Sequence, residues 1–94
     1  MSGTGIVLTV HVKNPAKWEQ GFRSHTELHG RGPTQLMHYT ITNNNEVIMY
    51  SETENVDEYM KYIRSPEVAK AMDEDGVDRD TLRVYALDKE LDVH

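Results

Sequence analysis

The sequence predicts an α+β fold of the split βαβ kind. Four stretches alternate apolar and polar residues with the period of two expected of a strand covered on one face. Between them lie helical stretches with apolar residues three and four apart, each opening on Asn or Ser. The order along the chain is strand, helix, strand, strand, helix pair, strand.

Ile6 to Lys13, IVLTVHVK, is the first strand. Ile6, Leu8, Val10 and Val12 share one face, and Val7, Thr9, His11 and Lys13 share the other. Asn14 then caps a helix with Pro15 at its first position. This helix is expected to run about four turns, to Gly30 and Arg31, with Pro33 beyond the stop. Its inner stripe reads Trp18, Gly21, Phe22, His25, Leu28, His29. A stripe that ends in two imidazoles, with a glycine between its aromatics, suits the wall of a cavity.

Thr34 to Thr42 is the second strand, with Leu36, His38 and Thr40 on one face and Met37, Tyr39 and Ile41 on the other. Asn43, Asn44 and Asn45 make a hairpin loop, because Asn tolerates left-handed backbone angles. Glu46 to Thr53 returns, with Val47, Met49 and Ser51 opposite Ile48 and Tyr50. Asn55 caps the next helix with Glu58 as its capping-box partner; Val56, Tyr59, Met60 and Ile63 form its buried stripe. Ser65 and Pro66 start a short helix that carries Val68, Ala69, Ala71 and Met72 and ends at Gly76. Asp73, Glu74, Asp75, Asp78 and Asp80 rim that end, where carboxylates oppose the helix macrodipole. Thr81 to Asp88 is the last strand, and Lys89 to His94 a tail.

This order is the ferredoxin-like βαββαβ arrangement with a four-stranded antiparallel sheet. Right-handed crossovers put both helical segments on one face of the sheet. The other face is too apolar for water, so a second copy is expected to cover it and make a homodimer.

With 94 residues the chain is expected to form a single domain, ordered over about 5–88. A domain of this size buries only about two-thirds of its unfolded surface, which favours association. The net charge of −6 argues against nucleic acid and against an anionic membrane surface. The absence of Cys excludes disulfides and thiolate chemistry. MSGTGIVLTV has no basic leader and no long apolar run, so a soluble cytoplasmic protein is expected.

The join Val12-Lys13-Asn14, with Trp18, Phe22 and His25 on the first helix, resembles the dimeric α/β-barrel superfamily. So do the Asn-rich hairpin, Ser65-Pro66-Glu67 with Ala71-Met72, and Gly76-Val77. Antibiotic biosynthesis monooxygenase-like domains belong to this superfamily, and the chain looks like a small member of that type. The resemblance implies two protomers packed sheet to sheet as a dimeric α/β barrel. It implies a cofactor-independent oxygenase, or a cyclase or isomerase, acting on a small aromatic or polyketide-like compound. The haem-degrading members place a ligating His on a late helix, whereas Pro66 to Gly76 contains none. The cofactor-free oxygenases typically carry a Trp in the second half, whereas the single Trp here is Trp18.

His25 is the expected general base, since an imidazole in an apolar cleft takes and returns protons near neutral pH. Tyr50 is the expected catalytic phenol, with Tyr39 and Tyr85 as other sources of one. Trp18 and Phe22 would hold a planar ring, with His29, His38 and Met72 completing the binding surface. No metal and no cofactor are expected. The alternatives are a metal shared by His25 and His29 with His38, His11 or Glu52, haem at His25, an Arg31 clamp, and a filled cleft in a non-catalytic dimer.

Overall fold

The computed structural model describes residues 3–25 and 34–89, with the backbone alone described over 34–36. The elements are β1 (Thr4–Val12), α1 (Pro15–Ser24), β2 (Thr34–Ile41), β3 (Glu46–Thr53), α2 (Val56–Ile63), α3 (Pro66–Glu74) and β4 (Val77–Leu87). The strands form one antiparallel sheet in the order β2-β3-β1-β4. This is the ferredoxin-like arrangement, with the helices over one face.

The alternation in β1 decides which face that is. Ile6, Leu8, Val10 and Val12 are all buried, while His11 is exposed. Val47 and Met49 of β3 and Trp18 of α1 join them in the core, with Val77 from the start of β4. Phe22, Met37, Tyr39, Ile63 and Met72 pack against that cluster. Burying such side chains supplies most of the stability of a domain this small.

The predicted caps form. Asn14 Oδ1 accepts from the Lys17 N–H at 3.1 Å, and Ser65 Oγ accepts from the Val68 N–H at 3.3 Å. Asn55 Oδ1 accepts from the Glu58 N–H at 3.1 Å. The reciprocal half of the expected capping box is absent, because the Asn55 N–H donates to Thr53 Oγ1 at 3.2 Å. The hairpin turns on Asn45 at φ 60, a left-handed conformation that Asn accepts more readily than most residues.

Two boundaries differ from expectation. Helix α1 stops at Ser24 rather than continuing to Gly30. Ser24 Oγ donates to the Gly21 carbonyl at 2.6 Å, and the His25 N–H closes a tighter turn onto the Phe22 carbonyl at 3.3 Å. Leu28, His29, Gly30 and Arg31 lie outside the described residues. Strand β4 starts at Val77 rather than Thr81, because Gly76, at φ 75, turns the chain straight out of α3 and into the sheet. The surplus residues are taken up by a register shift: Thr9 faces Arg83, but His11 faces Asp78. Thr81 Oγ1 bridges the irregularity, accepting from the His11 N–H at 2.8 Å and donating to the Asp78 carbonyl at 2.7 Å.

The face away from the helices carries His38, Tyr50, Val7 and Tyr85 in one row across all four strands. Tyr50 lies over Gly5, where an added Cβ would crowd its ring at 3.0 Å. Ile48, Tyr50, Tyr85 and Leu87 are 37–53 % exposed, so large apolar groups face water in a single copy. No helix among the described residues is long and apolar enough to cross a membrane.

Ile6 is fully buried, so Ile6→Ala is expected to lose about 2–5 kcal/mol of unfolding free energy in a urea titration. A loss well under about 1 kcal/mol would show that the inner row of β1 is not the core.

Candidate functional site

The helices do not fill the space above the sheet completely. A cavity of about 80 Å³ remains between α1, α2, α3 and the inner faces of β1, β2 and β3. Its wall is overwhelmingly apolar, with Leu8, Val10, Met49, Ile63 and Val68 among the lining residues. Among the described residues, the polar groups that reach it are His25, Ser51, Tyr59, Tyr62 and Asp75. An apolar cleft with a few convergent polar groups is the usual form of a small-molecule site.

Helix α1 supplies the aromatic side. Trp18 stacks on Phe22 with ring centroids 4.9 Å apart and planes 19° from parallel. Tyr39 of β2 meets both edge-on, at 5.5 Å from each. Its hydroxyl donates to Glu19 Oε2 at 2.6 Å, and the Arg23 guanidinium sits 5.6 Å from its ring centre. Burial, and then the bond to Glu19, pushes the Tyr39 phenol above its ordinary value. This cluster ties the aromatic wall to the sheet.

The C-terminal ends of α1 and α3 meet at the polar edge. His25 caps α1, and Asp75 caps α3. His25 Nε2 lies 3.6 Å from Asp75 Oδ2, an ion-pair separation slightly longer than a hydrogen bond. The imidazole is 29 % exposed and the carboxylate 12 %, so the pair sits at the rim of the cleft. Gly21, one turn before His25, makes the approach possible: a Cβ there would overlap the Asp75 carboxylate. The glycine on the inner stripe of α1 thus gives room to a carboxylate from another helix.

Four of the residues singled out in the sequence meet here: Trp18, Phe22, His25 and Met72 all line the cavity. Tyr50 and His38 do not. They face each other across β3 and β2 on the opposite side of the sheet, because both fall on the outward phase of the strand alternation. Tyr50 donates to Glu52 Oε2 at 2.9 Å, and that bond holds its phenol above the ordinary value. His29 lies outside the described residues. His11 and Glu52, the alternative metal ligands with His25, are also on the outward phase. Among the described residues no group of three His, Asp or Glu side chains is placed to hold a metal ion.

Ser51, Tyr59, Tyr62 and Asp75 reach the cleft although none stands out in the sequence as a site residue. Tyr59 was assigned to packing, and it is indeed buried, but its ring also closes the cleft. Burial pushes the Tyr59 phenol up, against the opposing pull of a hydrogen bond with Ser51. Asp75 was hidden in a run of acidic residues; its position just before Gly76 was the available signal, since that is where the chain turns back toward α1.

No family model and no curated protein matches the sequence. Solved structures do match the fold. A candidate antibiotic biosynthesis monooxygenase from Bordetella bronchiseptica superimposes with a TM-score of 0.76 at 14 % identity, covering 97 % of this chain and 100 % of the other. The cofactor-independent oxygenase SnoaB from Streptomyces nogalater gives 0.70 at 14 % identity, covering 99 % and 98 %. A Streptomyces coelicolor monooxygenase in complex with nanaomycin D gives 0.67 at 14 % identity, covering 99 % and 92 %.

The Tyr39 and Tyr59 phenols, like the exposed phenol of Tyr50, release their protons less readily folded than unfolded. Their contribution to stability is therefore complete below about pH 10 and is lost as the pH rises through the folded-state values. The urea midpoint is expected to fall above about pH 10, and to fall less steeply in Tyr59→Phe and Tyr39→Phe. An unchanged alkaline slope in both variants would contradict this assignment. At identities this low it is the architecture that is shared: the chain has the ferredoxin-like fold of the antibiotic biosynthesis monooxygenase-like proteins.

Proposed function

We propose that this protein is an antibiotic biosynthesis monooxygenase-like enzyme, a cofactor-independent oxygenase of a small aromatic or polyketide-like compound, with His25 as general base. The observation that carries the reading is the His25 imidazole at the rim of a mostly apolar cleft walled by Trp18 and Phe22, where it is alone of its kind among the described lining residues. The shared fold with proteins that include a cofactor-independent oxygenase supports it.

The chemistry asks little of the protein. A substrate with an acidic CH₂ between aromatic or carbonyl groups stacks on the Trp18–Phe22 wall. His25 takes one proton, and the electron pair stays on the carbon. That carbanion passes one electron to O₂, and the radical pair combines to a peroxide, which takes the proton back from His25. Loss of water from the hydroperoxide then leaves a ketone. The balance is R₂CH₂ + O₂ → R₂C=O + H₂O. The protein contributes the base, the orientation and a dry site in which the proton transfer is favoured. The neutral Tyr59 phenol replaces Tyr50 as the donor that would orient a substrate oxygen.

The working form in this reading is a cytoplasmic homodimer in which the outer sheet faces of two copies cover each other. The row His38, Tyr50, Val7 and Tyr85, with Ile48 and Leu87 beside it, supports that packing. In a dimer, Tyr50→Glu with Tyr85→Glu would bury charge against charge, and light scattering is expected to show monomers in place of dimers. A wild-type monomer at high concentration would remove the dimer from the proposal.

Anthrone, naphthols and hydroquinones provide a panel of neutral probes. Oxygen uptake with anthrone and equimolar formation of anthraquinone is the expected result, and His25→Ala should lower the rate by about 10²-fold or more. Anaerobic conversion without oxygen uptake would favour a cyclase or isomerase that uses the same base. Binding without conversion of any probe would favour the non-catalytic dimer.

A further inference from the structure

The acidic run at the end of α3 has one member unlike the rest. Asp73 is 58 % exposed and occupied by the Arg79 guanidinium, at 2.8 and 3.2 Å. Asp78 and Asp80 are exposed on β4. Asp75 is 12 % exposed and turned inward, against the backbone of α1 at Gly21 and facing His25 Nε2. A carboxylate at a helix C-terminus opposes the macrodipole, and the Nε2 edge of His25, 3.6 Å from Oδ2, is an electropositive neighbour within ion-pair distance that offsets it.

We propose that Asp75 is the positioning residue of the site, and that it makes the cleft selective for neutral proton-donating substrates. Resting on His25 as the base, the assignment is atomic. Asp75 holds the hydrogen on Nε2, so Nδ1 carries the lone pair that receives the substrate's proton. When the substrate C–H or O–H bond breaks, its electron pair stays on the substrate and the proton goes to Nδ1. Asp75 remains ionised and faces the imidazolium through Nε2–H. Charge is therefore created as an alternating row of carboxylate, imidazolium and substrate anion. A substrate that arrives already anionic meets the Asp75 carboxylate across a partly desolvated rim and is repelled. The ligand class is a neutral phenol, enol or activated CH₂ compound rather than a carboxylic acid.

Gly21 belongs to this device. In α1 an alanine would be the better helix former, yet its methyl would displace the Asp75 carboxylate, the mobile end of a side chain. Gly21→Ala therefore separates the pair while leaving both groups and the helix in place.

The test uses the intact chain labelled with ¹⁵N-histidine, in wild type, Asp75→Ala and Gly21→Ala. In wild type a downfield, slowly exchanging imidazole N–H resonance of His25 is expected, assigned to Nε2, with Nδ1 unprotonated. Both variants should fold by circular dichroism and lose that resonance. Binding of 2-naphthol and 2-naphthoate provides the second readout: wild type should prefer the naphthol, and Asp75→Ala should narrow the preference roughly tenfold. With anthrone, Asp75→Ala should lower kcat with little change in KM. Absence of the resonance from wild type, its survival in both variants, or an unchanged naphthol preference would overturn the proposal. The resonance and the charge preference without oxygen uptake would remove the oxygenase reading and keep the pair; turnover without the resonance would do the reverse.

Discussion

The turn at Gly76 is the constraint on which the site depends. Its left-handed backbone ends α3 and sends the chain into β4 within one residue, and its carbonyl accepts the Lys13 N–H at 3.0 Å. The Val12 N–H is bound to the Asn45 carbonyl at 2.9 Å. The junction between β1 and α1 is thus held on one side by the hairpin and on the other by the end of α3. Fixing that junction fixes where α1 starts, and so where Trp18, Gly21, Phe22 and His25 lie along it. The same turn sets Asp75 beside Gly21. A looser connection, with a side chain unable to adopt a positive φ, would move one helix end relative to the other, and the 3.6 Å approach would not survive.

The cleft follows from what this sequence uses to cover its sheet. The three short helices described over the four strands leave gaps that only large side chains can close. Trp18, Phe22 and Tyr39 close one flank as a mutually oriented aromatic group, tied down by the Tyr39–Glu19 bond. The remaining space is lined with methionine and aliphatic groups, which adapt to a ligand with little strain. An apolar wall bearing the His25 imidazole is a setting in which small geometric changes matter, because an unpaired charge there has little solvent to fall back on. In the proposed chemistry that gives the carboxylate–imidazole pair its weight: it would supply a counter-charge where the proton is received.

The two faces of the sheet divide the polar aromatic residues between two tasks. Tyr39 falls on the inner side and braces the Trp18–Phe22 wall, and Tyr59 and Tyr62 reach the cleft from α2, while Tyr50 and Tyr85 fall on the outer side with His38. The outer row is apolar enough to seek cover and polar enough, through Glu52, Arg83 and His11, to tolerate water in a single copy. The proposed dimer and the proposed chemistry therefore draw on different residues, and each can be perturbed without touching the other.

Local rules in the sequence determined the elements and their order. Asn14-Pro15, Asn55 and Ser65-Pro66 are capping chemistry that acts within three residues; the alternation in β1 and β3 separates the two faces; and Gly76 marks the turn. The aromatic and imidazole stripe of α1 was legible for the same reason, since helical spacing is a local property. The extent of α1 was not, because the bond from Ser24 to the Gly21 carbonyl and the cap at His25 compete with helix continuation at a level that propensity does not resolve. Nor was the start of β4, since a register shift bridged by Thr81 depends on the partner strand. Which tyrosine reaches the cleft and which acid faces His25 were decided only by tertiary structure. Asp75 and His25 are fifty residues apart in sequence, and what joins them is the convergence of two helix ends over the sheet, with the missing side chain of Gly21 leaving the space between.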